Sequence, residues 1–501
     1  MAATHFDYRP ENMQAAYQAF KKAYPGFEST KSIDELRARE YARLEDLDQV
    51  YLDYTGSGLY ASSQLHQHLN LLETGVFGNP HSKNPTSLAM THLVEQARDY
   101  VLEFFNASPE EYAAIFTPNA SGALKLVGEA YPFAPGGHFL PLFDNHNSVN
   151  GIREFARAKG AEVTYLPTVL PELRLDGETL SRELDRVQPG TFNLFAFPAQ
   201  SNFTGVQHSL EWIENAQAKG WHVLLDAAAF VPTNRLDLNH WKPDFVPLSF
   251  YKMFGYPTGV GCLLARKDTL AKMQRPWFAG GTISITSVQG EGWHYLLGGE
   301  AGYEDGTINF LNLPAVEIGL RHIANIGIGT IHERVSCLTG WLLNQMIALR
   351  HSNGAPLVEI YGPTNLVERG GTIAFSLDDP QGHRLDYRKV EALANRENIS
   401  LRTGCFCNPG TGEIVHHLTR QEMSQAFGRT EAMSFDYFFD WARREHGRNP
   451  STIRISVGIV SNFADVFRFM SFLSSFIDKP EAAIQAVQVE YPIYDLMRDT
   501  A

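Results

Sequence analysis

The chain has 501 residues, 44% hydrophobic and 20% charged, a globular composition at a length where two domains are expected. Its net charge of −14, from 42 basic and 56 acidic residues with no basic run, argues against a nucleic-acid-binding protein. The polar start Met1–Tyr8 and the lack of any run of about 18 apolar residues predict neither a signal peptide nor a membrane span. Four cysteines are too few for a disulfide framework, so we expect a reducing, cytoplasmic location.

In chain order, the alternation of strands and helices predicts the domain organisation. Residues 1–48 are predicted to form an N-terminal helical segment, because apolar residues such as Phe20 recur there at helical spacing. Residues 49–315 alternate between strands and helices, which predicts a large domain with a mostly parallel sheet covered by helices on both faces. Residues 316–501 have longer helices and fewer buried strands, so they are predicted to form a smaller C-terminal domain.

The stretch Phe116–Leu126 passes from an apolar strand, through small polar residues, into a predicted helix. Backbone N–H groups and a hydroxyl at a helix N-terminus form a natural phosphate site. Many helices begin in this way without binding phosphate, so the pattern alone leaves both interpretations open.

Asp226 follows the apolar, strand-like run Trp221–Leu225. The carboxyl ends of strands are where open α/β sheets place ligand-binding groups. A carboxylate there could keep a pyridinium nitrogen protonated, or it could cap a following helix.

Lys252 lies between Ser249 and the Gly/Pro-rich turn Gly255–Gly259, with an apolar strand on either side. A lysine at the mouth of an α/β sheet can lose its proton and form a Schiff base with pyridoxal phosphate. The alternative is an ordinary surface charge. Asp226 and the phosphate-type turn favour the first interpretation.

A second chemical stretch places Cys405 and Cys407, half of all the cysteines, in a Gly/Pro-rich loop close to Arg402. Positive charge stabilises a thiolate, and an exposed loop gives the thiolate access to a substrate. Two alternatives remain, half a metal site completed by His416 and His417, or cysteines buried as small hydrophobic residues.

Several further motifs occur together with these residues, and they are Gly78–Ser82, Asp144–His146, Pro198–Phe203, Ser249–Lys252, Glu304–Thr307 and Arg402–Cys407. With these motifs the chain resembles the class V, pyridoxal-phosphate-dependent aminotransferases, in their cysteine desulfurase branch. Within that branch it is most similar to the desulfurase-like domain of molybdenum cofactor sulfurases, over about residues 48–475. The resemblance implies an α/β, aspartate aminotransferase-like fold with a large domain and a smaller α/β C-terminal domain, assembled as a homodimer.

The resemblance also implies how the cofactor is held. Lys252 would bind pyridoxal phosphate covalently and move protons at the substrate α-carbon. Asp226 would pair with the pyridinium nitrogen, and Asn202 would reach the phenolic oxygen. His146 would lie against the ring and count, with Lys252 and Cys407, among the catalytic residues. Tyr251, also predicted to bind the cofactor, stands beside the lysine where housekeeping desulfurases have a histidine, and it matches the sulfurase branch.

The phosphate would be bound by the Ala120 backbone, by Ser121 and Ser249, and by Thr307 from the other subunit. One departure weakens the cofactor site, because Ala229 replaces a glutamine that contacts the phenolic oxygen in related desulfurases.

For the substrate, Arg454 and Arg402 would bind the carboxylate of L-cysteine, and Cys407 would take its sulfur as a persulfide while alanine is released. No metal is expected. The resemblance implies that the sulfur goes to molybdenum cofactor or to a separate sulfur-acceptor protein. Because only 501 − 454 = 47 residues follow Arg454, too few for another domain of typical size, we expect the chain to act alone, with a separate partner, or on a different sulfur acceptor.

Two other functions remain open from the sequence. One is a lyase on the same scaffold that cleaves a C–S bond of a substituted cysteine or sulfoxide without a cysteine nucleophile. The other is a non-catalytic scaffold or sulfur carrier. The aromatic and charged segment 428–449 would either cover the active site or bind a partner.

Overall fold

The computed structural model describes residues 7–188, 190–290, 292–428 and 434–489. In chain order the strands are β1 Val50–Tyr51, β2 Tyr112–Thr117, β3 His138–Pro141, β4 Glu162–Val163, β5 Thr168–Val169, β6 Arg174–Leu175, β7 Asn193–Pro198, β8 His222–Asp226, β9 Phe245–Ser249, β10 Gly261–Arg266, β11 Ile283–Thr286, β12 His294–Leu296, β13 Val358–Tyr361, β14 Thr372–Leu377, β15 Ile399–Ser400, β16 Arg402–Thr403 and β17 Ile453–Ser456.

The α-helices are α1 Met13–Ala23, α2 Ser32–Glu40, α3 Arg43–Asp46, α4 Ser62–Thr74, α5 Pro85–Phe104, α6 Ala120–Ala130, α7 Asn147–Asn150, α8 Ile152–Ala158, α9 Gly177–Leu184, α10 Glu211–Ala218, α11 Phe250–Phe254, α12 Lys267–Leu270, α13 Leu313–Ile326, α14 Ile328–Ala348, α15 Tyr387–Arg396, α16 Pro409–Val415, α17 Arg420–Phe427, α18 Phe435–His446, α19 Phe463–Ser474 and α20 Glu481–Gln485. Short 3-10 turns lie at Pro10–Asn12, Pro25–Thr30, Gly299–Tyr303 and Phe310–Asn312.

A seven-stranded sheet in the order β2-β10-β9-β8-β7-β3-β4 forms the centre of the protein. The neighbours from β9 to β4 are parallel, and β10 is antiparallel to both β9 and β2. In β7, Leu194 and Ala196 pack into one apolar cluster while Phe195 and Phe197 pack into another, so alternate side chains enter cores on opposite faces. The predicted α/β fold, with a mostly parallel sheet covered on both faces, is confirmed.

A second sheet is antiparallel, in the order β13-β14-β17-β16. The first strand of the chain joins this part of the molecule, because β1 pairs in parallel with β15 and Asp53 bridges to Ser456. Residues predicted to begin the large domain therefore bond to residues predicted to lie in the small one. The boundaries at residues 48 and 315 stay predictions.

Helices of the N-terminal segment pack on the second part of the chain. The Phe20 ring lies 6.3 Å from Trp341 and 4.9 Å from Phe463, and Arg37 forms a buried ion pair with Asp465 at 2.6 Å. Residues 1–6 of this predicted segment, and residues 490–501 of the predicted C-terminal domain, lie outside the described residues.

The carboxyl ends of β7, β8 and β9 and the N-terminus of α6 meet at one edge of the large sheet, where open α/β sheets bind ligands. Among the helices of the described residues, none combines the length and the apolar character needed to cross a bilayer.

Candidate active site

A cavity of about 350 Å³ opens at this edge of the sheet. It brings together eight of the side chains predicted to bind the cofactor, and they are Ala120, Ser121, His146, Asn202, Asp226, Ser249, Tyr251 and Lys252. These residues come from five separate segments of the chain, so their convergence on one cavity is a result of the fold. Their individual roles stay predictions.

Lys252 lies on α11, the short helix that begins directly after β9. The surrounding protein lowers the pKa of Lys252 below 10.5, because burial penalises its charged form; the carboxylate of Asp226 opposes this effect and Arg454 adds to it. A lysine with a lowered pKa has a larger neutral fraction, and the neutral amine is the nucleophilic form.

Asp226 ends β8 and is 8% exposed. Its Oδ1 accepts a hydrogen bond from the Ala228 N–H at 3.1 Å, in a turn that does not continue as a helix. The helix-cap interpretation is therefore wrong. A carboxylate has about four acceptor positions, so this one bond leaves capacity to bind a protonated ring nitrogen.

The N-terminus of α6 forms a polar corner of the cavity. The Ala120 N–H donates to Ser249 Oγ at 2.9 Å, and Asn119 caps the helix by accepting from the Gly122 N–H at 2.9 Å. Ser121 Oγ and Ser148 Oγ are 2.6 Å apart. The end of an 11-residue helix together with three hydroxyls favours an anion such as phosphate.

His146 lines the same cavity, and its Nδ1 accepts the Ser148 N–H at 3.1 Å. The neutral ring must therefore carry its proton on Nε2. Burial, and then the charge of Lys252, lower the pKa of His146, which favours this neutral form.

The Cys407 loop lies against the cavity wall. Asn202 Nδ2 donates to the Phe406 carbonyl at 2.7 Å, and the Asn147 N–H donates to the Cys407 carbonyl at 2.7 Å. Phe406 and Cys407 both have a left-handed backbone, with φ of 52° and 55°. This conformation is rare for bulky residues.

Cys407 is exposed and Cys405 is partly buried, so the interpretation of both cysteines as buried hydrophobic residues is wrong for Cys407. The Cys407 side chain does not line the 350 Å³ cavity. Burial raises the pKa of Cys405, which disfavours its thiolate.

Arg402 and Arg454 stand directly opposite each other on β16 and β17. Arg454 is 2% exposed, and its Nη1 donates to the Asn202 carbonyl at 2.8 Å. The ring of Phe406 covers its guanidinium at 4.8 Å. Neither arginine lines the cavity itself, but the charge of Arg454 acts on both Lys252 and His146.

Thr307 does not line the Lys252 cavity of its own chain. It lines a neighbouring cavity that shares Pro118 and Gly259 with the Lys252 cavity. The contact of Thr307 with the phosphate across a dimer stays a prediction.

His416, a candidate ligand in the alternative metal site beside Cys405, is bonded to a neighbouring side chain instead. His416 Nε2 bonds to Thr452 Oγ1 at 2.7 Å, and burial lowers the pKa of His416 to about 3. Within residues 7–188, 190–290, 292–428 and 434–489, no three His, Cys, Asp or Glu side chains cluster as metal ligands.

Part of the segment 428–449 lies beside the cysteine loop. Phe435 and Phe438 of α18 line an apolar cavity of about 270 Å³ together with Cys405 and His416. Residues 429–433 of this segment are outside the described residues.

Sequence reasoning did not assign four polar residues that the structure places at or near the site. Ser148 and Gln200 line the cavity, and both lie in or beside motifs already singled out, so a systematic reading of those motifs would have found them. Asp144 opens the motif Asp144–His146 but was given no role, and it contacts Asn408 of the cysteine loop. Asp53 contacts both arginines through long-range pairings that leave no local pattern.

The chain is similar to known proteins both in sequence and in fold. The model of the aminotransferase class-V family matches residues 50–469. The chain is 37% identical to a molybdenum cofactor sulfurase of Solanum lycopersicum, covering 93% of this chain and 60% of the relative, and 36% identical to that of Homo sapiens, covering 88% and 51%. It thus spans between half and three-fifths of the length of these relatives.

Two solved structures have the same fold. An apo cysteine desulfurase from Thermococcus onnurineus NA1 superimposes with a TM-score of 0.70 at 23% identity, covering 88% of this chain and 97% of the other. A mutant of the protein C-DES, with glycine covalently linked to its PLP cofactor, gives a TM-score of 0.66 at 18% identity, with coverage of 88% and 99%.

Proposed function

Because this chain belongs to the aminotransferase class-V family, we propose that it is a pyridoxal-phosphate-dependent cysteine desulfurase that transfers the sulfur of L-cysteine to Cys407 and releases alanine. The observation that carries the proposal is the single cavity that holds the Lys252 amine, the Asp226 carboxylate and the N-terminus of α6. The resemblance to molybdenum cofactor sulfurases supports the choice of cysteine as substrate.

The polar groups of the cavity fit pyridoxal phosphate. The cofactor needs an anion site, a carboxylate for its ring nitrogen and an amine for its aldehyde, and α6, Asp226 and Lys252 provide them. Asn202 would serve the phenolic oxygen in the absence of a glutamine at Ala229. When bound, the cofactor supplies an electron sink beside the substrate α-carbon.

The protein's own residues then perform three tasks. Lys252, whose pKa is lowered by burial, accepts and returns the proton at the α-carbon. Arg454 orients the substrate carboxylate. The Cys407 thiolate attacks the substrate sulfur, so that a new S–S bond forms as the C–S bond breaks. Overall, cysteine and the Cys407 thiol give alanine and the Cys407 persulfide.

The loop position of Cys407 suits sulfur delivery, because an exposed persulfide can be reached by an acceptor outside the cavity. We propose that the acceptor is molybdenum cofactor, since the curated relatives carry that activity in their names. Protein loaded from ³⁵S-cysteine and mixed with molybdenum cofactor should pass its label to the cofactor, and label that stays on Cys407 would exclude this acceptor.

A homodimer is proposed as well, in which Thr307 supplies a phosphate contact to the neighbouring copy. Light scattering should give twice the chain mass, and Thr307→Ala should weaken binding of pyridoxal phosphate without dissociating the dimer. A monomer that binds the cofactor fully would exclude this arrangement.

The decisive experiment for the desulfurase compares Cys407→Ala with Cys405→Ala in protein supplied with pyridoxal phosphate and L-cysteine. The Cys407 variant should form no protein persulfide and lose alanine production, while the Cys405 variant, altered in the same loop, should retain both. Undiminished cysteine turnover in Cys407→Ala would refute the persulfide step and favour the C–S lyase.

A second variant tests cofactor use itself. Lys252→Ala should lose the yellow colour of the bound cofactor and reduce turnover by about 10²–10⁴-fold, the range for removal of a general acid–base group. If the wild-type protein shows no such colour, both enzyme functions fail and the non-catalytic scaffold remains.

A further inference from the structure

Asp53 ties together the two arginines predicted to bind the substrate carboxylate. Its Oδ1 accepts from Arg454 Nη2 at 2.8 Å, and its Oδ2 accepts from Arg402 Nε at 2.9 Å and Nη2 at 2.7 Å. The carboxylate is largely buried, with 12% of the side chain exposed. We call Asp53, Arg402 and Arg454 the arginine–aspartate trio.

Arg454 retains donors for a second carboxylate. A guanidinium has five N–H donors, and those of Nη1 and Nη2 reach the Asn202 carbonyl and Asp53. Its Nε is buried and has no hydrogen-bond partner among the described residues. A buried donor without a partner is costly, so a ligand carboxylate on this edge of Arg454 would be stabilised.

The net charge of the trio follows from its composition. Two guanidinium groups stay protonated in proteins and one carboxylate opposes them, so the trio carries +1. One substrate carboxylate neutralises that charge, whereas a second carboxylate on the ligand would leave an excess negative charge.

We propose that Asp53 is a specificity-determining residue that sets the charge of this site to +1 and thereby selects amino acids with a single carboxylate over dicarboxylic ones. This inference rests on the proposed function, because it takes Arg454 as the group that binds the substrate carboxylate. Opposite charges attract more strongly in a largely buried site than in water, so one unit of site charge is enough to shift selectivity by at least about tenfold.

The turn after β1 leaves no room for a side chain at Gly56 beside the ion pair of Asp53 and Arg402. A Cβ on Gly56 would lie 2.4 Å from Asp53 Oδ2 and 2.7 Å from Arg402 Nη2, which is closer than real Cβ contacts allow. Gly56→Ala therefore displaces the ion pair while leaving every charge in place, and it provides a matched control.

The test measures binding of two thiol carboxylates, 3-mercaptopropionate and mercaptosuccinate, to the holoenzyme by calorimetry. The first has one carboxylate and the second has two. Wild type should prefer 3-mercaptopropionate. Asp53→Asn, with a trio charge of +2, should shift the ratio of the two dissociation constants by at least about tenfold toward mercaptosuccinate.

Two further variants keep the test decisive if Asp53→Asn folds poorly. Arg402→Gln, with a trio charge of zero, should shift the ratio in the opposite direction. The double variant Asp53→Asn/Arg402→Gln restores +1 and should return the ratio to within about threefold of wild type, a difference below 1 kcal/mol. Gly56→Ala should weaken both ligands alike.

Equal weakening of both ligands in every charge variant would show that Asp53 has only a structural role, and it would overturn the proposal. A double variant that fails to regain the wild-type ratio would do the same. The binding assay does not depend on turnover. Failure of the enzyme to produce alanine from cysteine would therefore contradict the proposed function and not the role of Asp53.

Discussion

The wall of the cavity around Lys252 and the loop around Cys407 are built in opposite ways. The wall consists of buried strand ends of one mostly parallel sheet, and its groups are fixed by short hydrogen bonds such as that from Ala120 to Ser249. The loop exposes its cysteine and uses left-handed backbone at two consecutive residues. A cofactor site must hold its groups still, whereas a sulfur-delivering thiol must be reachable from outside.

One buried carboxylate joins the two regions. Asp144, 1% exposed, accepts from Ser201 Oγ at 2.7 Å on the sheet side, and from Asn408 Nδ2 at 2.8 Å and Thr411 Oγ1 at 2.7 Å on the loop side. Its other oxygen lies 3.1 Å from His208 Nε2. Asp144 is therefore one of the residues that hold the loop against the cavity, together with Asn202 and Asn147.

The largest expected effect is that of Asp144→Ala. It would leave several buried donors unpaired, so the free energy of unfolding should fall by about 3–5 kcal/mol, as when one partner of a buried ionic network is removed. Urea denaturation measures this loss. Asp185→Ala, at a side chain 65% exposed, is the control and should change stability by less than about 0.5 kcal/mol. Equal effects at the two sites would show that Asp144 does not join the regions.

A second prediction separates the two cysteines of the loop. Limiting iodoacetamide at neutral pH should modify Cys407 at least about tenfold faster than Cys405, because Cys407 is exposed whereas burial raises the pKa of Cys405. Mass spectrometry of the peptides gives the ratio. In urea the two rates should become similar, and a persistent difference there would mean that local sequence, not burial, controls reactivity.

A third prediction concerns Phe406, whose ring contacts Phe203 at 5.0 Å and covers Arg454. Phe406→Ala should loosen the loop and slow single-turnover formation of the Cys407 persulfide by roughly tenfold, corresponding to an aromatic contact of about 1 kcal/mol. Affinity for pyridoxal phosphate should stay unchanged, because the ring does not line the cavity. A loss of cofactor affinity would show that loop and wall are not independent.

The smallest expected effect is a change in how stability depends on pH. The folded protein lowers the pKa of Lys252, so between that pKa and 10.5 the unfolded chain binds more protons and stability rises with pH. In apoprotein, Lys252→Met should therefore be more stable than wild type at neutral pH. The difference should shrink as pH approaches 10.5. Urea denaturation at several pH values measures it, and a constant difference would contradict the lowered pKa.

The sequence was informative where chemistry and local structure coincide. Lys252, Asp226 and the Ala120–Ser121 turn each lie where a strand ends, so local patterning singled them out, and the family resemblance supplied the expectation that they hold one cofactor. The mostly parallel sheet followed from the same alternation of strands and helices.

The sequence was uninformative for residues whose role depends on partners far away along the chain. The contacts of Asp53 with Arg402 and Arg454 join residues about 350 and 400 positions apart, and no pattern around Asp53 indicates its partners. The left-handed backbone at Phe406 is held by Asn202 and Arg454, whereas propensity alone would place glycine there.

The pairing of β1 with β15 has a consequence for how this protein is made. Val50 in β1 pairs with Ile399 in β15. The ribosome therefore synthesises β1 349 residues before the strand with which it pairs. At about 5–20 residues per second, the ribosome needs roughly 20–70 s to reach that partner. During this interval the backbone of β1 and the Asp53 carboxylate lack the partners that they have in the folded protein. Arg402, Cys407 and Arg454, the residues proposed to bind the substrate and accept its sulfur, all follow β15 in the chain and are synthesised after this interval.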